Sequence, residues 1–153
     1  MSDAPTAGES ADILLVEDNP GDVRLTKEAF KNSRLTSTLH VVTDGDEALN
    51  FLYQRGDHAD KSRPDVMLLD LNLPRTNGDE VLERIRNDDQ FQYLPVVVLT
   101  SSRAEEDVVR SYELDANAYL TKPVDPDEFI EAVRRFESFW LDAVRLPPEE
   151  VKR

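Results

Sequence analysis

Five short apolar runs, each followed by an amphipathic stretch, constrain the fold of this chain more than any other feature. The runs are rich in the β-branched residues and leucine that are typical of strands. The first, third and fourth are apolar almost throughout, as strands buried on both faces must be, because a strand with one wet face would alternate. We predict strands at about 12–16, 39–42, 66–69, 96–99 and 118–120.

The stretches between the runs place apolar residues at helical spacing. We predict helices at about 20–33, 45–55, 78–87, 103–114 and 126–144. Five β-then-α units predict an α/β fold with a doubly wound, five-stranded parallel sheet. Because crossovers between parallel strands are right-handed, few windings of this sheet are possible.

The length of 153 residues suits one domain with its own core. We expect residues 1–11 to form a disordered tail, 12–146 a domain with an extended C-terminal helix, and 147–153 a second tail. The chain has no cysteine, which excludes disulfides, thiolate metal sites and cysteine nucleophiles. It shows no signal-peptide pattern and no apolar run long enough to span a bilayer, so we expect a soluble cytoplasmic protein.

The charge of the chain is strongly negative, with 32 acidic and 18 basic residues and a formal net charge of −14. Such a surface repels the phosphates of DNA, RNA and anionic lipids. We therefore expect no nucleic-acid or membrane partner. The acidic excess also fits a protein that works in concentrated salt, which is a hypothesis from composition alone.

Charged and hydroxyl side chains, which can bind a metal or take part in a reaction, lie at the predicted ends of four strands. Glu17 and Asp18 end the first strand, and Asp70 ends the third. Thr100 ends the fourth strand, and Lys122 follows the fifth. In a doubly wound sheet functional residues collect beyond the carboxyl ends of the strands. A single aspartate there would indicate only a helix cap, but four matching strand ends favour a functional site.

The charges of these residues indicate phosphoryl chemistry. Three neighbouring carboxylates repel one another unless a cation joins them, and Mg²⁺ prefers such oxygen ligands. A carboxylate can attack phosphorus to form an acyl phosphate. The metal, Lys122 and the hydroxyl of Thr100 would then neutralise the phosphoryl oxygens.

Four segments carry a resemblance to a known family. They are Ile13–Asn19, Leu68–Pro74 with Gly78, Val98–Ser101 and Tyr119–Pro123. We expect Gly78 to adopt a backbone angle that is unavailable to other residues. Over about residues 12–144 the chain resembles the receiver domains of two-component response regulators. This resemblance implies a flavodoxin-like (βα)5 fold with strand order 2-1-3-4-5. The segments 18–23 and 139–147 look most like those of stand-alone receivers that partner phytochrome-type histidine kinases.

The resemblance also implies a role for each residue of the cluster. Asp70 would accept a phosphoryl group from a phosphohistidine of a sensor histidine kinase, either a phytochrome-like kinase or another light or redox sensor. Asp18 and Asp70 would bind Mg²⁺ together with the backbone carbonyl of Asn72, and Glu17 would act through a metal-bound water. Glu17 departs mildly from the aspartate that is commoner in the family at that position.

The resemblance further implies a switch. Thr100 would hydrogen-bond the phosphoryl group and draw its loop inward, and Tyr119 would swing from exposed to buried. We expect no DNA-binding output domain and no catalysis beyond slow autodephosphorylation, so the signal would pass through partner binding or further phosphate relay. The peptide bond before Pro123 is cis by resemblance, whereas the sequence alone allows either isomer.

The last predicted helix carries a broader apolar arc than one sheet face needs. Phe139, Trp140 and Leu141 extend this arc near its end. We interpret these residues as an interaction surface for a homodimer, and extra core packing is the alternative.

Three other functions are weighed against the receiver interpretation. An aspartyl phosphohydrolase needs a second aspartate two residues after the nucleophile, where this chain has Asn72. A receiver-like scaffold without phosphorylation would have lost part of the acidic cluster or the lysine, and both are present. Nucleotide binding requires a glycine-rich loop, which the sequence does not contain. His40 and His58 are interpreted as structural or solvated residues.

Overall fold

The computed structural model describes residues 11–33, 36–111 and 114–133. Within them five strands alternate with five helices, and a short 3-10 helix lies at Gly56–His58. The strands are β1 (Ala11–Val16), β2 (Ser37–Val42), β3 (Val66–Asp70), β4 (Val96–Thr100) and β5 (Ala118–Thr121). The helices are α1 (Pro20–Lys31), α2 (Gly45–Leu52), α3 (Gly78–Arg86), α4 (Arg103–Ser111) and α5 (Pro126–Val133).

All five strands are parallel and lie in the order β2-β1-β3-β4-β5. This confirms the predicted α/β class and the flavodoxin-like order 2-1-3-4-5. The register pairs Val16 with both Val42 and Leu69, and it pairs Thr100 with Thr121. The carboxyl ends of the strands therefore meet along one edge of the sheet.

The sheet separates two apolar cores. On one face Leu14 and Val16 of β1 pack with residues of α2, α3 and α4. On the other face Ile13 and Leu15 pack with residues of α1 and α5, including Phe129. Every residue of β3 and β4 is buried, as the apolar composition of these runs predicts. The edge strands β2 and β5 are only partly buried, so the middle of the sheet is anchored most firmly.

Helix α1 begins as its sequence predicts. Asn19 is the N-cap, its Oδ1 accepts a hydrogen bond from the Asp22 N–H at 3.0 Å, and Pro20 is the first helical residue. Asp44 caps α2 in the same way by accepting from the Glu47 N–H at 2.8 Å. Both caps fix the direction in which the chain leaves a strand end.

Two sequence-based expectations are corrected by the structure. Ala11, assigned above to the N-terminal tail, is the buried first residue of β1, and its N–H donates to the carbonyl of Thr36 at 3.0 Å. Gly78, in the family motif, would be expected to permit a left-handed backbone, yet its φ is not positive. Gly78 is needed for space instead, because a Cβ there would lie 2.5 Å from the carbonyl oxygen of Asp70.

The loop between β3 and α3 is held against the start of α2. A Cβ on Gly45 would lie 1.8 Å from the carbonyl oxygen of Thr76, so the two backbones are in direct contact. The Thr76 hydroxyl donates to Asp46 at 2.5 Å. Arg75 adopts a φ of 64° in this loop, in the left-handed region that non-glycine residues rarely occupy. These contacts fix the loop that follows Asp70.

At the amino ends of the strands, opposite the acidic residues, Arg86 connects the segments that precede β4 and β5. Its side chain is largely buried and donates to the carbonyls of Asp115, Phe91 and Gln92 and to Oδ1 of Asn117 at 2.8–3.3 Å. The same Oδ1 accepts from the N–H of Val96 at 2.8 Å. One guanidinium therefore joins the last turn of α3 to the two segments that lead into β4 and β5.

The predicted C-terminal helix is described only in part. Helix α5 begins at Pro126, as predicted, and is described as far as Val133. The proposed interface residues Phe139, Trp140 and Leu141 lie outside the described residues. Among the helices of 11–33, 36–111 and 114–133, none is both long and apolar enough to cross a bilayer.

Candidate phosphoacceptor and metal site

The acidic residues predicted from the strand ends lie together. Glu17 and Asp18 follow β1, and Asp70 is the last residue of β3, its neighbour in the sheet. One carboxylate oxygen from each lies within 4.8 Å of one from each of the others. The winding of the sheet reverses between β1 and β3, which is where a doubly wound fold binds ligands.

Burial and charge both act on Glu17. Its side chain is almost fully buried, and burial raises the pKa of its carboxyl from 4.5 to about 7. The hydrogen bond from Lys122 and one from the N–H of Asn19 lower this pKa, and the charge of Asp70 raises it. Removal from water outweighs the lysine here, so the charged form of Glu17 is disfavoured although an ammonium contacts it.

Lys122 supplies the positive charge of the site. Its Nζ donates to Oδ2 of Asp70 at 2.9 Å, to Oε1 of Glu17 at 2.9 Å and to Oδ2 of Asp22 at 3.0 Å. Burial lowers the pKa of Lys122, but the three hydrogen bonds raise it by more, so the pKa ends above its usual value. The lysine therefore stays protonated, and all three of its N–H donors are used.

The donor set fits a small, hard divalent cation. Glu17, Asp18 and Asp70 are the group of candidate metal ligands that the described residues contain, and all three offer oxygen. Asp18 is exposed whereas Glu17 and Asp70 are buried, so the cluster opens to solvent on one side. A cation would offset the loss of water and the repulsion by Asp70, which together raise the pKa of Glu17.

Asn72 lies beside the carboxylate of Asp70. Its backbone N–H donates to Oδ1 of Asp70 at 2.9 Å, and its side-chain amide donates to Oε2 of Glu105 at 3.2 Å. The backbone of Asn72 is thereby held next to the predicted metal ligands. The bond to Glu105 links the loop after β3 to helix α4.

Thr100 ends β4 and Tyr119 lies on β5, and among the described residues neither side chain forms a hydrogen bond to Asp70. The Thr100 hydroxyl is within 3.3–3.4 Å of the carbonyls of Ser102 and Leu120. Tyr119 is half-buried, its hydroxyl lies 3.4 Å from the carbonyl of Leu114, and the guanidinium of Arg110 sits 4.6 Å from its ring centroid. Both side chains have partners that a change at the site would have to break.

Lys122 precedes Pro123 through a cis peptide bond, the isomer that the family resemblance implies. The two histidines are far from this chemistry. His40 contacts Asp12 at 3.0 Å, and His58 contacts Glu47 at 2.8 Å. These contacts agree with a structural role for both.

The sequence interpretation missed three acidic residues around the site. Asp22 is the third partner of Lys122, and Glu105 bonds to Asn72. The buried Glu106 accepts hydrogen bonds from Thr121 at 2.9 Å and from Arg110 at 2.9 Å. Asp22 had a readable signal, because side chains in the first turn of a helix point back towards its N-terminus and hence towards the strand end. Glu105 and Glu106 looked like ordinary first-turn acids of α4.

Comparison with protein families identifies one match over most of the chain. The model of the response regulator receiver domain matches residues 13–134. Response regulator Rcp1 of Synechocystis sp. is 46% identical over 135 residues, which cover 88% of this chain and 92% of Rcp1.

Solved structures give the same result. The bacteriophytochrome response regulator AtBRR is 45% identical, with a TM-score of 0.76 over 82% of this chain and 91% of its own. The phosphorylated cyanobacterial phytochrome response regulator RcpA is 44% identical, with a TM-score of 0.68 over 90% and 99%. The Mn²⁺-bound form of Rcp1 is 45% identical, with a TM-score of 0.67 over the same shares.

Proposed function

This chain belongs to the family of response regulator receiver domains, and from that premise we propose that its Asp70 accepts a phosphoryl group from the phosphohistidine of a sensor histidine kinase, with Mg²⁺ as the cofactor. The observation that carries the proposal is the position of Asp70. Its carboxylate accepts a hydrogen bond from the ammonium of Lys122 at 2.9 Å, and one of its oxygens lies within 4.8 Å of an oxygen of Glu17 and of Asp18.

The transfer needs a nucleophile and a place for negative charge. A carboxylate oxygen of Asp70 forms a bond to phosphorus while the bond from phosphorus to the imidazole nitrogen breaks, and the imidazole keeps the electron pair. Lys122 moves one of its N–H donors from a carboxylate to a phosphoryl oxygen. A bound Mg²⁺ would supply positive charge to the remaining phosphoryl oxygens.

We assign the metal ligands by the same reasoning. Asp18 and Asp70 would bind the ion directly, the backbone carbonyl of Asn72 would be the third protein ligand, and Glu17 would act through a water on the ion. The oxygen donor set supports Mg²⁺, and the Mn²⁺-bound form of the relative Rcp1 supports a divalent ion. Because the second acid of a phosphohydrolase is replaced by Asn72, turnover of the acyl phosphate is limited to slow autodephosphorylation.

The proposed switch couples charge to two side chains. A phosphoryl group on Asp70 offers the Thr100 hydroxyl a charged acceptor in place of two backbone carbonyls. Movement of Thr100 on β4 changes the space beside Tyr119 on β5, which is the adjacent strand. Tyr119 then exchanges its contact with Arg110 for a more buried position.

The partner is proposed to be a phytochrome-type histidine kinase, because AtBRR is described as a bacteriophytochrome response regulator and RcpA as a cyanobacterial phytochrome response regulator. Such kinases draw phosphate from ATP, so a cytoplasmic location belongs to the same proposal. A homodimer through Phe139, Trp140 and Leu141 stays a prediction, since these residues lie outside the described ones. Size-exclusion chromatography with light scattering tests it, and a monomer at all concentrations, with and without phosphorylation, contradicts it.

A phosphorylation assay tests the central proposal. The protein is incubated with Mg²⁺ and acetyl phosphate, and intact mass is followed over time. We expect one phosphoryl group on the wild type, none on Asp70→Asn, and one on the control Asp107→Asn, whose side chain is exposed on α4. Undiminished labelling of Asp70→Asn would disprove the assignment, and continuous release of phosphate at enzyme-like rates would favour a phosphohydrolase.

A further inference from the structure

Asp22 is a third carboxylate on Lys122, and its position differs from that of the other two. Its Oδ2 lies 3.0 Å from the Lys122 ammonium. Glu17 and Asp70, the other partners of the lysine, both belong to the metal-ligand cluster, whereas Asp22 does not. Lys122 is therefore bound by two carboxylates that a metal would share and by one that it would leave alone.

Building on the proposed function, we propose that Asp22 is a positioning residue that keeps the ammonium of Lys122 beside Asp70 when Mg²⁺ binds. A divalent cation repels the ammonium and attracts the carboxylates of Glu17 and Asp70, which the ammonium also binds. The charge of Asp22 stays available to the lysine in that state. Lys122 can then keep its hydrogen bond to Asp22 and give up its hydrogen bonds to the metal ligands Glu17 and Asp70, while its ammonium stays in the site.

The backbone of Asp22 is fixed for this role on two sides. Its N–H donates to Oδ1 of Asn19 at 3.0 Å, and its carbonyl accepts from the Thr26 hydroxyl at 2.8 Å. Thr26 is buried, so the first turn of α1 is anchored in the core. The side chain of Asp22 is 30% exposed, whereas that of Glu17 is almost fully buried, so the Asp22 carboxylate keeps more of its contact with water.

Loss of the Asp22 charge has a defined consequence. In Asp22→Asn the ammonium keeps only Glu17 and Asp70 as charged partners, so it competes with Mg²⁺ for both. We expect the Mg²⁺ dissociation constant to rise about fivefold, within the range typical of coupled neighbouring charges. If Asp22 acts through the lysine, the same substitution in a Lys122→Met background changes the constant by less than about twofold.

The experiment is an NMR titration with MgCl₂ of the full chain. It compares the wild type, Asp22→Asn, Lys122→Met, the double variant and Glu28→Gln, an exposed charge change on the same helix. Amide spectra report whether each variant is folded, and Asp22→Ser is the second variant if Asp22→Asn is not. Equal changes in the wild-type and Lys122→Met backgrounds would overturn the proposal, as would an Asp22→Asn constant equal to that of Glu28→Gln.

The outcomes separate this inference from the proposed function. A wild type that neither binds Mg²⁺ nor becomes phosphorylated contradicts the proposed function itself. A wild type that does both, with an Asp22→Asn variant that binds Mg²⁺ as tightly, contradicts only the role of Asp22. If Asp22 only stabilises the start of α1, Asp22→Asn lowers the free energy of unfolding and leaves the Mg²⁺ dissociation constant unchanged.

Discussion

Oε1 of Glu17 accepts a hydrogen bond from Nζ of Lys122 at 2.9 Å, yet burial raises the pKa of Glu17 to about 7. A charge partner in direct contact is therefore outweighed by the loss of water around the carboxylate. Glu17 is poised to change its charge near neutral pH, which makes its titration measurable.

Glu17 makes the stability of the metal-free protein depend on pH. In the unfolded chain a glutamate titrates near 4.5, so between about 4.5 and about 7 the folded protein binds more protons than the unfolded chain. The stabilisation that comes from the raised pKa of Glu17 is fully present below pH 4.5 and is lost as the pH rises through about 7. We expect Glu17→Gln to lose less stability than the wild type over this range. Urea unfolding in EDTA measures it, and identical pH slopes for the two proteins would contradict it.

The same titration affects metal binding in the opposite direction. Because a proton on Glu17 must leave for the carboxylate to serve the ion, we expect Mg²⁺ affinity to rise by up to about tenfold per pH unit below pH 7 and then level off. In Glu17→Gln this rise is expected to be shallower. Titrations with MgCl₂ at several pH values measure the effect, and a pH-independent wild-type affinity would exclude it.

Asp18 is exposed, so its loss separates metal binding from folding. We expect Asp18→Ala to weaken Mg²⁺ binding by at least about tenfold, because one direct ligand is removed. Its free energy of unfolding without metal is expected to change by less than about 0.5 kcal/mol or to increase slightly, since repulsion within the cluster falls. Asp107→Ala is the control, and an unchanged Mg²⁺ affinity in Asp18→Ala would refute the ligand assignment.

Gly45 is required by the close approach of α2 to the loop after β3. A Cβ there would lie 1.8 Å from a backbone oxygen, so one of the two segments must move. We expect Gly45→Ala to lower the free energy of unfolding by about 1–3 kcal/mol, as overpacking does. Gly21→Ala is the control, because its Cβ would meet a side-chain atom, Oδ1 of Asn19, at 3.2 Å and no backbone atom outside its own helix. Equal stability of both variants in chemical denaturation would contradict this explanation.

Arg86 and Arg84 lie on the same helix and offer a matched comparison. Arg86 is largely buried and donates to three backbone carbonyls and Asn117, whereas Arg84 forms one exposed ion pair with Glu80 at 3.0 Å. We expect Arg86→Ala to cost about 2–4 kcal/mol of stability and Arg84→Ala less than about 0.5 kcal/mol. Thermal or urea unfolding checks this, and similar losses for both variants would show that the Arg86 contacts matter little.

The fold was largely predictable because the apolar runs are unambiguous. The central strands β3 and β4 are buried on both faces, which requires an uninterrupted apolar sequence. In a chain this polar, a short run of that kind indicates a central strand rather than a surface element. The ends of the elements were less predictable. Ala11 joins β1 through a hydrogen bond to the carbonyl of Thr36. The small and polar residues around it in the sequence do not predict that bond.

The site was predictable where it depends on strand ends and unpredictable where it depends on packing between loops. Strand ends can be read from the sequence, and they place Glu17, Asp70 and Lys122 correctly at one edge. The contact of Gly45 with Thr76 depends on the approach of two backbones, and a sequence pattern carries no such distance. The same holds for Gly78, which is needed because a Cβ would collide with the backbone of Asp70, and not because of its backbone angles.

The bond between Lys122 and Glu17 joins residues that are 105 positions apart. During synthesis on a ribosome the acidic residues of β1 and β3 emerge well before the lysine that follows β5. A nascent chain or a fragment that lacks β5 carries the carboxylates without their ammonium, and it cannot assemble the proposed phosphoacceptor. The proposed site therefore gains its ammonium only when β5 has joined the sheet, the last of the five strands to be synthesised.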